Sequence, residues 1–280
     1  MKTILDEILA DVRVEVAAAK QAVPLAEIRA RLADAPPARD FAEALGRGGF
    51  GLIAEIKRRS PSVGPMREEN VDAAAATYAA SSHVRAVSIL TNRIHFGMSV
   101  EDLARLRATL PQPVLRKDFF IDDYQILEAR AHGADAILLM ANVLDATQLR
   151  DFHQLALELG MEALFEIHTL DEIALLPKSA RVVGINSRKF KSTSGFVGST
   201  GSSQKDFSLE MSVFDLVTHL PAGCLRVAES GLAPETIASV SSKFDAALVG
   251  TSLLRDPRGI AACLADFERA IETHSHSHGN

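Results

Sequence analysis

The sequence predicts a single (β/α)8 barrel, and three observations favour that fold. Eight short apolar runs, typical of buried parallel strands, alternate along the chain with segments long enough for helices. Several runs end in a polar or ionisable side chain, and parallel strands would bring those ends together at one edge. No Gly-x-Gly-x-x-Gly turn follows the first run, so a doubly wound open sheet fits less well. The runs lie near residues 52–56, 86–90, 114–117, 136–140, 163–166, 182–186, 225–229 and 246–250.

The segment before the first strand, residues 1–48, is predicted to be a helical extension of the barrel. Apolar residues from Ile4 to Val12 recur at helical spacing, and a second short helix near residues 25–32 ends before a Pro-Pro pair. Because these helices precede the first barrel strand, they are expected to form an extension and not a separate domain. We therefore expect one domain over residues 1–280.

Two segments are expected to lie outside regular structure. Residues 189–207, between the sixth and seventh strands, are rich in Gly, Ser and Thr and exceed what one loop and one helix require. We expect a mobile loop over the top of the barrel there. The His-containing tail, residues 273–280, is expected to be disordered rather than a metal site.

Composition and charge exclude several classes of protein. The formal net charge of −6 argues against a general nucleic-acid binder, although a small basic pocket for an anionic substrate stays possible. Cys224 and Cys263 lack metal-ligand spacing and are expected to be free thiols, as in a reducing cytoplasm. Acidic residues near the N-terminus do not suit a signal peptide, and no apolar run approaches the roughly 18 residues that span a bilayer. We expect a cytoplasmic monomer or weak homodimer that binds neither nucleic acid nor membrane.

The strand ends carry the candidate catalytic groups. Glu55 and Lys57 are two residues apart at the end of the first run, so their side chains point to the same face. A charged pair there is costly to bury unless it is paired and used. Any one such residue could be an ordinary ion pair at the rim, but together they indicate one site for general acid–base chemistry. The other polar strand ends are Lys117, Glu166, Asn186, Arg188, Glu229 and Ser230.

Two glycine-containing turns indicate a phosphate site. Gly231 follows the seventh strand, and Gly250 follows the eighth, so that backbone N–H groups can approach an anion at both places. A short helix is expected to start at Thr251 and to direct its N-terminus toward the same position. A phosphate site between strands seven and eight is common on this fold, although each glycine alone could be an ordinary turn residue.

Apolar residues at the same edge indicate a pocket for an aromatic ring. Phe96 follows the second strand, Phe119 follows the third, and Leu138 and Leu139 lie at the end of the fourth. Each of them could instead belong to the ordinary core, and for Leu138 the core interpretation is slightly favoured.

These segments together resemble the indole-3-glycerol phosphate synthase family. The resemblance runs from the N-terminal helices to Asp256-Pro257, and its specific motifs are Ile-Ala-Glu-Ile-Lys with Ser-Pro-Ser, Leu-Arg-Lys-Asp-Phe, Gly-Ile-Asn-Ser-Arg and Ala-Glu-Ser-Gly. It implies conversion of 1-(2-carboxyphenylamino)-1-deoxyribulose 5-phosphate to indole-3-glycerol phosphate with release of CO2 and water. It also implies that no cofactor and no metal are used.

The resemblance implies roles for individual residues. Lys117 would be the general acid of ring closure, and Glu166 a proton-transfer partner in the later loss of water. Lys57 would contact the phosphate side and act as acid for hydroxyl departure, while Glu55 orients one of the two lysines; the division of labour between the lysines stays open. The substrate's polar groups would be positioned by Asn186, Arg188, Glu229 and Ser230, its phosphate by Ser60, Gly231, Gly250 and Thr251, and its anthranilate ring by Pro61, Phe96, Phe119 and Leu139.

Three loop positions depart from the family pattern. Val63 and Lys189 stand where lysine and aspartate are usual, and Gly97-Met98-Ser99 follows Phe96 where Phe-x-Gly-Ser is usual. These departures keep open a related barrel enzyme acting on a modified anthranilate sugar phosphate. The insertion at residues 189–207 keeps open a non-catalytic phosphate-binding or interaction protein, in which it would bind a partner.

Overall fold

Eight parallel strands close into a barrel in the computed structural model, which describes residues 3–67, 70–190 and 207–277. The first strand pairs with both the second and the eighth, which closes the sheet and confirms the predicted fold class. All eight predicted apolar runs are strands of this barrel. They are β1 Gly51–Ile56, β2 Val84–Leu90, β3 Val114–Lys117, β4 Ala136–Met140, β5 Glu162–Ile167, β6 Val182–Asn186, β7 Leu225–Glu229 and β8 Ala246–Val249.

The strands are mostly apolar because both of their faces are largely buried. In β1, Ile53 points to the barrel axis and packs with Leu115 and Leu164, whereas Leu52 and Ala54 pack against the surrounding helices. This alternation decides which strand residues can reach the site at the barrel mouth.

Helices follow the strands in the expected order. The helix over Ala146–Glu158 shows why: Asp145 accepts hydrogen bonds from two backbone N–H groups of its first turn, and Gly160 takes a left-handed conformation (φ 77°) just after its end. The α-helices are Ile4–Ala22 (α1), Leu25–Arg31, Phe41–Gly46, Asn70–Ala80, Arg93–Phe96, Val100–Arg107, Asp123–Ala131, Ala146–Glu158, Leu170–Ile173, Pro234–Ser241, Thr251–Arg255 and Ile260–Ser277, with 3-10 helices at Leu32–Asp34 and Met211–His219.

The N-terminal extension covers the mouth of the barrel with α1. Ile4, Ile8 and Val12 are buried against the barrel interior, and Ile8 reaches the cavity described below. Tyr124 fastens the end of α1 because its hydroxyl donates to backbone carbonyls at 3.2 and 2.9 Å. The extension is therefore helical, as predicted, and part of the site.

A 3-10 helix, Met211–His219, precedes β7, where one helix was expected. The last helix, Ile260–Ser277, continues into the His-containing segment, whose disorder over residues 273–280 stays a prediction. The apolar stripe of Ile260, Phe267 and Ile271 docks this helix on the core.

The ends of the predicted insertion form a small antiparallel ladder. Arg188–Phe190 pairs with Phe207–Leu209, so the chain leaves β6 and returns toward β7 at the same place. The interior of the insertion, where the mobile loop was expected, lies outside the described residues, as do residues 278–280. Within the described ranges, no helix combines the length and the apolar character needed to cross a membrane.

Candidate active site

A cavity of about 360 Å³ opens at the carboxyl ends of the barrel strands. Charged groups lie at its base, apolar side chains form one wall, and glycine and serine residues of the loops after β7 and β8 form another. Most of the predicted site residues line it. They are Glu55, Lys57, Ser60, Pro61, Phe96, Lys117, Phe119, Glu166, Asn186, Arg188, Ser230, Gly231, Gly250 and Thr251.

Glu55 and Lys57 form a buried ion pair at the end of β1. Their side chains are each 7% exposed, and the Lys57 Nζ donates to Glu55 Oε1. Burial alone would raise the pKa of Glu55, but the ammonium groups of Lys57 and Lys117 outweigh it and hold that pKa below its usual range. Burial lowers the pKa of Lys57, and the Glu55 carboxylate only partly opposes this. Lys57 therefore gives up its proton more readily than a surface lysine.

Gly250 makes room for this pair. A Cβ at Gly250 would overlap the carboxylate of Glu55 and come within 2.9 Å of its Cβ. Glycine at this position thus has a packing reason in addition to the predicted approach to a phosphate.

Lys117 lies between two carboxylates that are almost fully buried. Its Nζ is 3.5 Å from Glu166 Oε2 and 3.9 Å from Glu229 Oε2. Burial would lower the pKa of Lys117, but Glu166, Glu229 and Glu55 outweigh it and raise that pKa. Lys117 is therefore a protonated ammonium at neutral pH, directed into the cavity.

The pKa values of the two carboxyls beside Lys117, Glu166 and Glu229, are shifted in opposite directions. Lys117 and His168 overcome the effect of burial and hold the pKa of Glu166 below its usual range. Burial and the neighbouring Glu166 raise the pKa of Glu229 well above its usual range. The surroundings therefore favour the ionised form of Glu166 and disfavour that of Glu229.

Glu229 lies behind Lys117 rather than on the cavity wall. It is 1% exposed, and a Cβ at Gly184 of the neighbouring strand would overlap its Oε1. The chain then turns sharply, since Ser230 and Gly231 have φ angles of 68° and 70°. A serine in this left-handed region is strained, and such strain often marks a functional turn.

Arg188 connects two sides of the cavity mouth. Its Nη1 donates to Ser62 Oγ at 2.7 Å, and Ser62 Oγ lies 2.9 Å from Ser60 Oγ. The backbone N–H of Arg188 donates to Asn186 Oδ1 at 2.9 Å, which fixes the start of the loop. A guanidinium and several hydroxyls thus face the side of the cavity where the phosphate is predicted.

The predicted phosphate residues meet on that side. Gly231, Gly250, Thr251 and Ser60 all line the cavity. Ser252 lines it as well, and its buried hydroxyl has no hydrogen-bond partner among the described residues. A buried hydroxyl without a partner is costly, and an anion bound here would satisfy it.

The apolar wall differs from the prediction at one residue. Phe96, Phe119 and Pro61 line the cavity, but Leu139 does not. Leu139 points outward and packs in the layer between barrel and helices, because side chains alternate along β4. Its neighbours on the inward face, Leu138 and Met140, line the cavity in its place.

Sequence reasoning missed several residues at the site. Ile8 comes from α1, whose position over the barrel has no local signal in the sequence. His168 is 9% exposed and lies 3.5 Å from Glu166 Oε1 and 3.6 Å from Glu172 Oε2. The pattern Glu-x-His at the end of a strand could have identified it, since both side chains point to one face. Leu232, from the loop after β7, and Leu209, from the ladder after β6, also line the cavity.

Of the loop departures, one lies at the cavity. Val63 lines the cavity, and Gly97 (φ 75°) ends the helix over Arg93–Phe96. Lys189 lies within the ladder after β6. Among residues 3–67, 70–190 and 207–277, no group of three or more His, Cys, Asp and Glu side chains is arranged to hold a metal ion, and both cysteines are free thiols.

Comparison with known proteins identifies the family. A sequence model described as "Indole-3-glycerol phosphate synthase" matches residues 5–262. The chain belongs to the indole-3-glycerol phosphate synthase family. A relative of that name from Paenarthrobacter aurescens is 40% identical over 263 residues, covering 91% of this chain and 92% of the relative. Another from Mycobacteroides abscessus is 39% identical over 268 residues, covering 94% and 93%.

Solved structures similar to this member of the family share its barrel. The α subunit of tryptophan synthase from Legionella pneumophila matches with a TM-score of 0.58 at 13% identity, over 84% of this chain and 100% of that one. N-(5'-phosphoribosyl)anthranilate isomerase from Pyrococcus furiosus matches with a TM-score of 0.52 at 14% identity, over 80% and 99%. At these identities the likeness establishes the fold alone.

Proposed function

We propose that this chain is an indole-3-glycerol phosphate synthase. It would convert 1-(2-carboxyphenylamino)-1-deoxyribulose 5-phosphate to indole-3-glycerol phosphate, CO2 and water, with no metal or cofactor. The observation that carries the proposal is Lys117: a protonated lysine, 3.5 Å from Glu166 and 3.9 Å from Glu229, directed into a cavity between an apolar wall and a hydroxyl-lined wall.

Ring closure is the step for Lys117. The ring carbon that carries the carboxylate attacks the ketone carbon of the sugar, and Lys117 donates a proton to the ketone oxygen as it becomes a hydroxyl. The attack interrupts the aromaticity of the ring, so an acid held in place beforehand lowers this barrier. Loss of CO2 leaves its bonding electrons in the ring and restores aromaticity.

Dehydration is the step for Glu166 and Lys57. Glu166 accepts a proton from the substrate as the double bond of the indole forms, and the carboxylate state that Lys117 imposes on it suits a base. Lys57 donates a proton to the departing hydroxyl, which leaves as water, and its lowered pKa suits an acid of this kind. Glu55 holds Lys57 in orientation through their ion pair.

The substrate lies across the cavity between its two walls. The phosphate sits at Ser60, Gly231, Gly250 and Thr251, and the hydroxyl of Ser252 adds a donor. The anthranilate ring packs on the apolar wall, and the polar middle of the substrate faces the remaining groups. The ring contacts are Pro61, Phe96, Phe119, Leu138 and Met140, and the polar contacts are Asn186, Arg188 and Ser230, with Glu229 acting through Lys117.

The test is direct turnover. Purified protein is mixed with the substrate in the presence of a metal chelator, and the rise of indole fluorescence is followed. The proposal predicts steady turnover that the chelator does not change. Binding without turnover contradicts it and favours a non-catalytic phosphate-binding protein, whereas turnover only of a modified anthranilate sugar phosphate favours a divergent barrel enzyme.

Two further proposals concern the protein in solution. We propose a monomer or weak homodimer located in the cytoplasm, and sedimentation velocity across a concentration series tests the first part. A single species of the chain's 30.1 kDa, or a dimer that dissociates on dilution, is expected. A stable higher oligomer contradicts it.

A further inference from the structure

We infer that His168, held by Glu172, is a positioning residue that keeps Glu166 ionised and directed at Lys117. This inference rests on the proposed function, because it matters to turnover only if Glu166 takes part in proton transfer. His168 does not line the cavity, so its action on the reaction passes through Glu166 rather than through contact with substrate.

The geometry places His168 between two carboxylates. Its Nε2 is 3.5 Å from Glu166 Oε1, and its Nδ1 is 3.6 Å from Glu172 Oε2. The backbone N–H of His168 also donates to Glu172 Oε2 at 2.7 Å, which fixes Glu172 at the start of the helix Leu170–Ile173. An imidazole with a carboxylate at each ring nitrogen is favoured in its protonated form.

Each carboxylate oxygen of Glu166 faces a different cationic side chain. Oε1 faces His168, and Oε2 faces Lys117 at 3.5 Å. The carboxylate is thereby held in one rotation, with the oxygen nearer Lys117 available for proton transfer. Glu166 is 1% exposed, so a charge on it is costly unless such partners compensate it.

The role of His168 follows from the cations that surround each of the two carboxyls. Glu166 and Glu229 both lie beside Lys117, which therefore favours ionisation of either. His168 pairs with Glu166, so this second cation favours ionisation of Glu166 over that of Glu229.

The charged surroundings of His168 support its protonation at neutral pH. They are Glu172 from its own loop and helix, Glu166 from β5 and Lys117 from β3. Burial would lower the pKa of His168, but the two carboxylates outweigh burial and Lys117 and raise it. Removal of Glu172 is therefore expected to discharge His168 and to weaken its effect on Glu166.

The experiment compares His168→Gln, Glu172→Gln, the double variant and Glu166→Gln with the wild type. His83→Gln is the matched control, because His83 is 3.7 Å from Glu268 in a similar ion pair but precedes β2 at the opposite end of the barrel. Two measurements are made: the pH profiles of kcat and KM, and the titration of Glu166 by NMR of carboxyl-labelled glutamate, assigned with Glu166→Gln.

The inference predicts a coupled set of shifts. His168→Gln raises the pKa of Glu166 by about one unit and moves the acidic limb of the kcat–pH profile to higher pH by the same amount. Below that limb, kcat then falls about tenfold, and KM changes little. Glu172→Gln shifts the pKa of Glu166 and the acidic limb of kcat in the same direction but by a smaller amount. The double variant shows the same shifts as His168→Gln, because Glu172 acts on Glu166 through His168. His83→Gln leaves both profiles unchanged.

The results separate failure of the inference from failure of the proposed function. An unshifted Glu166 titration in both His168→Gln and Glu172→Gln overturns the inference; Glu172→Gln decides it alone if His168→Gln does not fold. Full activity of Glu166→Gln instead overturns the proposed role of Glu166 in turnover. The NMR titration still decides in that case whether His168 sets the charge of Glu166.

Discussion

Replacing Gly184 by alanine tests how the buried carboxyl behind Lys117 is accommodated. The added Cβ would overlap Glu229 Oε1, come within 3.0 Å of the Glu229 Cδ and lie 3.3 Å from Leu164 Cδ1. Glu229 must then move, because β6 and β7 are adjacent paired strands and neither backbone can shift freely. Overpacking of this kind costs about 1–3 kcal/mol of folding free energy.

The same displacement should reduce turnover. Glu229 stands 3.9 Å from Lys117 Nζ, so moving Glu229 would disturb the position of that lysine. Chemical denaturation should report the loss of stability, and initial rates of indole-3-glycerol phosphate formation should report the loss of kcat. The midpoint temperature of thermal unfolding should fall by about 2–4 °C for each kcal/mol of folding free energy that is lost.

Two variants sharpen this test. Gly48→Ala is the control, since a Cβ there meets no atom within 4 Å. Shortening the acid in Gly184→Ala with Glu229→Asp should restore much of the stability but not the rate, because the carboxyl then lies further from Lys117. If Gly184→Ala leaves both stability and kcat at wild-type values, the packing argument is refuted.

Three further predictions use other parts of the structure. Because the pKa of Glu229 is raised in the folded protein, its contribution to stability is fully present below about pH 4.3, the pKa of glutamate in the unfolded chain, and is lost as pH rises through the folded pKa. In urea titrations between about pH 4 and 7, Glu229→Gln should therefore gain stability relative to the wild type as pH rises. An equal difference between the two proteins at all pH values would contradict this. Tyr124→Phe removes the hydroxyl bonds to the carbonyls of Ala19 and Val23 and should cost about 1 kcal/mol; hydrogen exchange should then quicken in α1, and unchanged exchange would disprove the tether. Ser230→Gly relieves a left-handed serine (φ 68°) and should raise stability by about 1 kcal/mol while lowering kcat, as denaturation and initial rates will test; a less stable variant would show that the turn is unstrained.

The barrel was predictable because its strands are buried on both faces. That burial requires continuous apolar runs, which remain visible without any tertiary information. The same regularity places Glu55, Lys57, Lys117 and Glu166 at one end, since every strand of a parallel barrel ends on the same side.

The features that escaped prediction depend on packing between distant segments. Which leucine at the end of β4 faces inward depends on the phase of the strand, and a shift of one residue exchanges Leu138 and Leu139. Ile8 enters the cavity only because α1 docks across the barrel mouth. The opposite pKa shifts of Glu166 and Glu229 depend on how deeply each carboxyl is buried and on the charges packed around it, and spacing does not show either.

The continuation of the last helix into the His-containing segment also depends on packing. The helix is docked through Ile260, Phe267 and Ile271. Once such a helix is nucleated, each further residue adds a backbone bond at small cost, so it extends past the docked stripe.

The most direct test of the account is the turnover of Lys117→Met beside Lys243→Met. Both variants remove a lysine charge and keep its apolar stem, but Lys243 is half-exposed and pairs only with Asp215 among the described residues at 3.3 Å. The account predicts that Lys117→Met loses at least about two orders of magnitude in kcat while it still binds substrate, and that Lys243→Met keeps the wild-type rate. A Lys117→Met variant with near wild-type kcat would contradict the central claim that this lysine is the acid of ring closure.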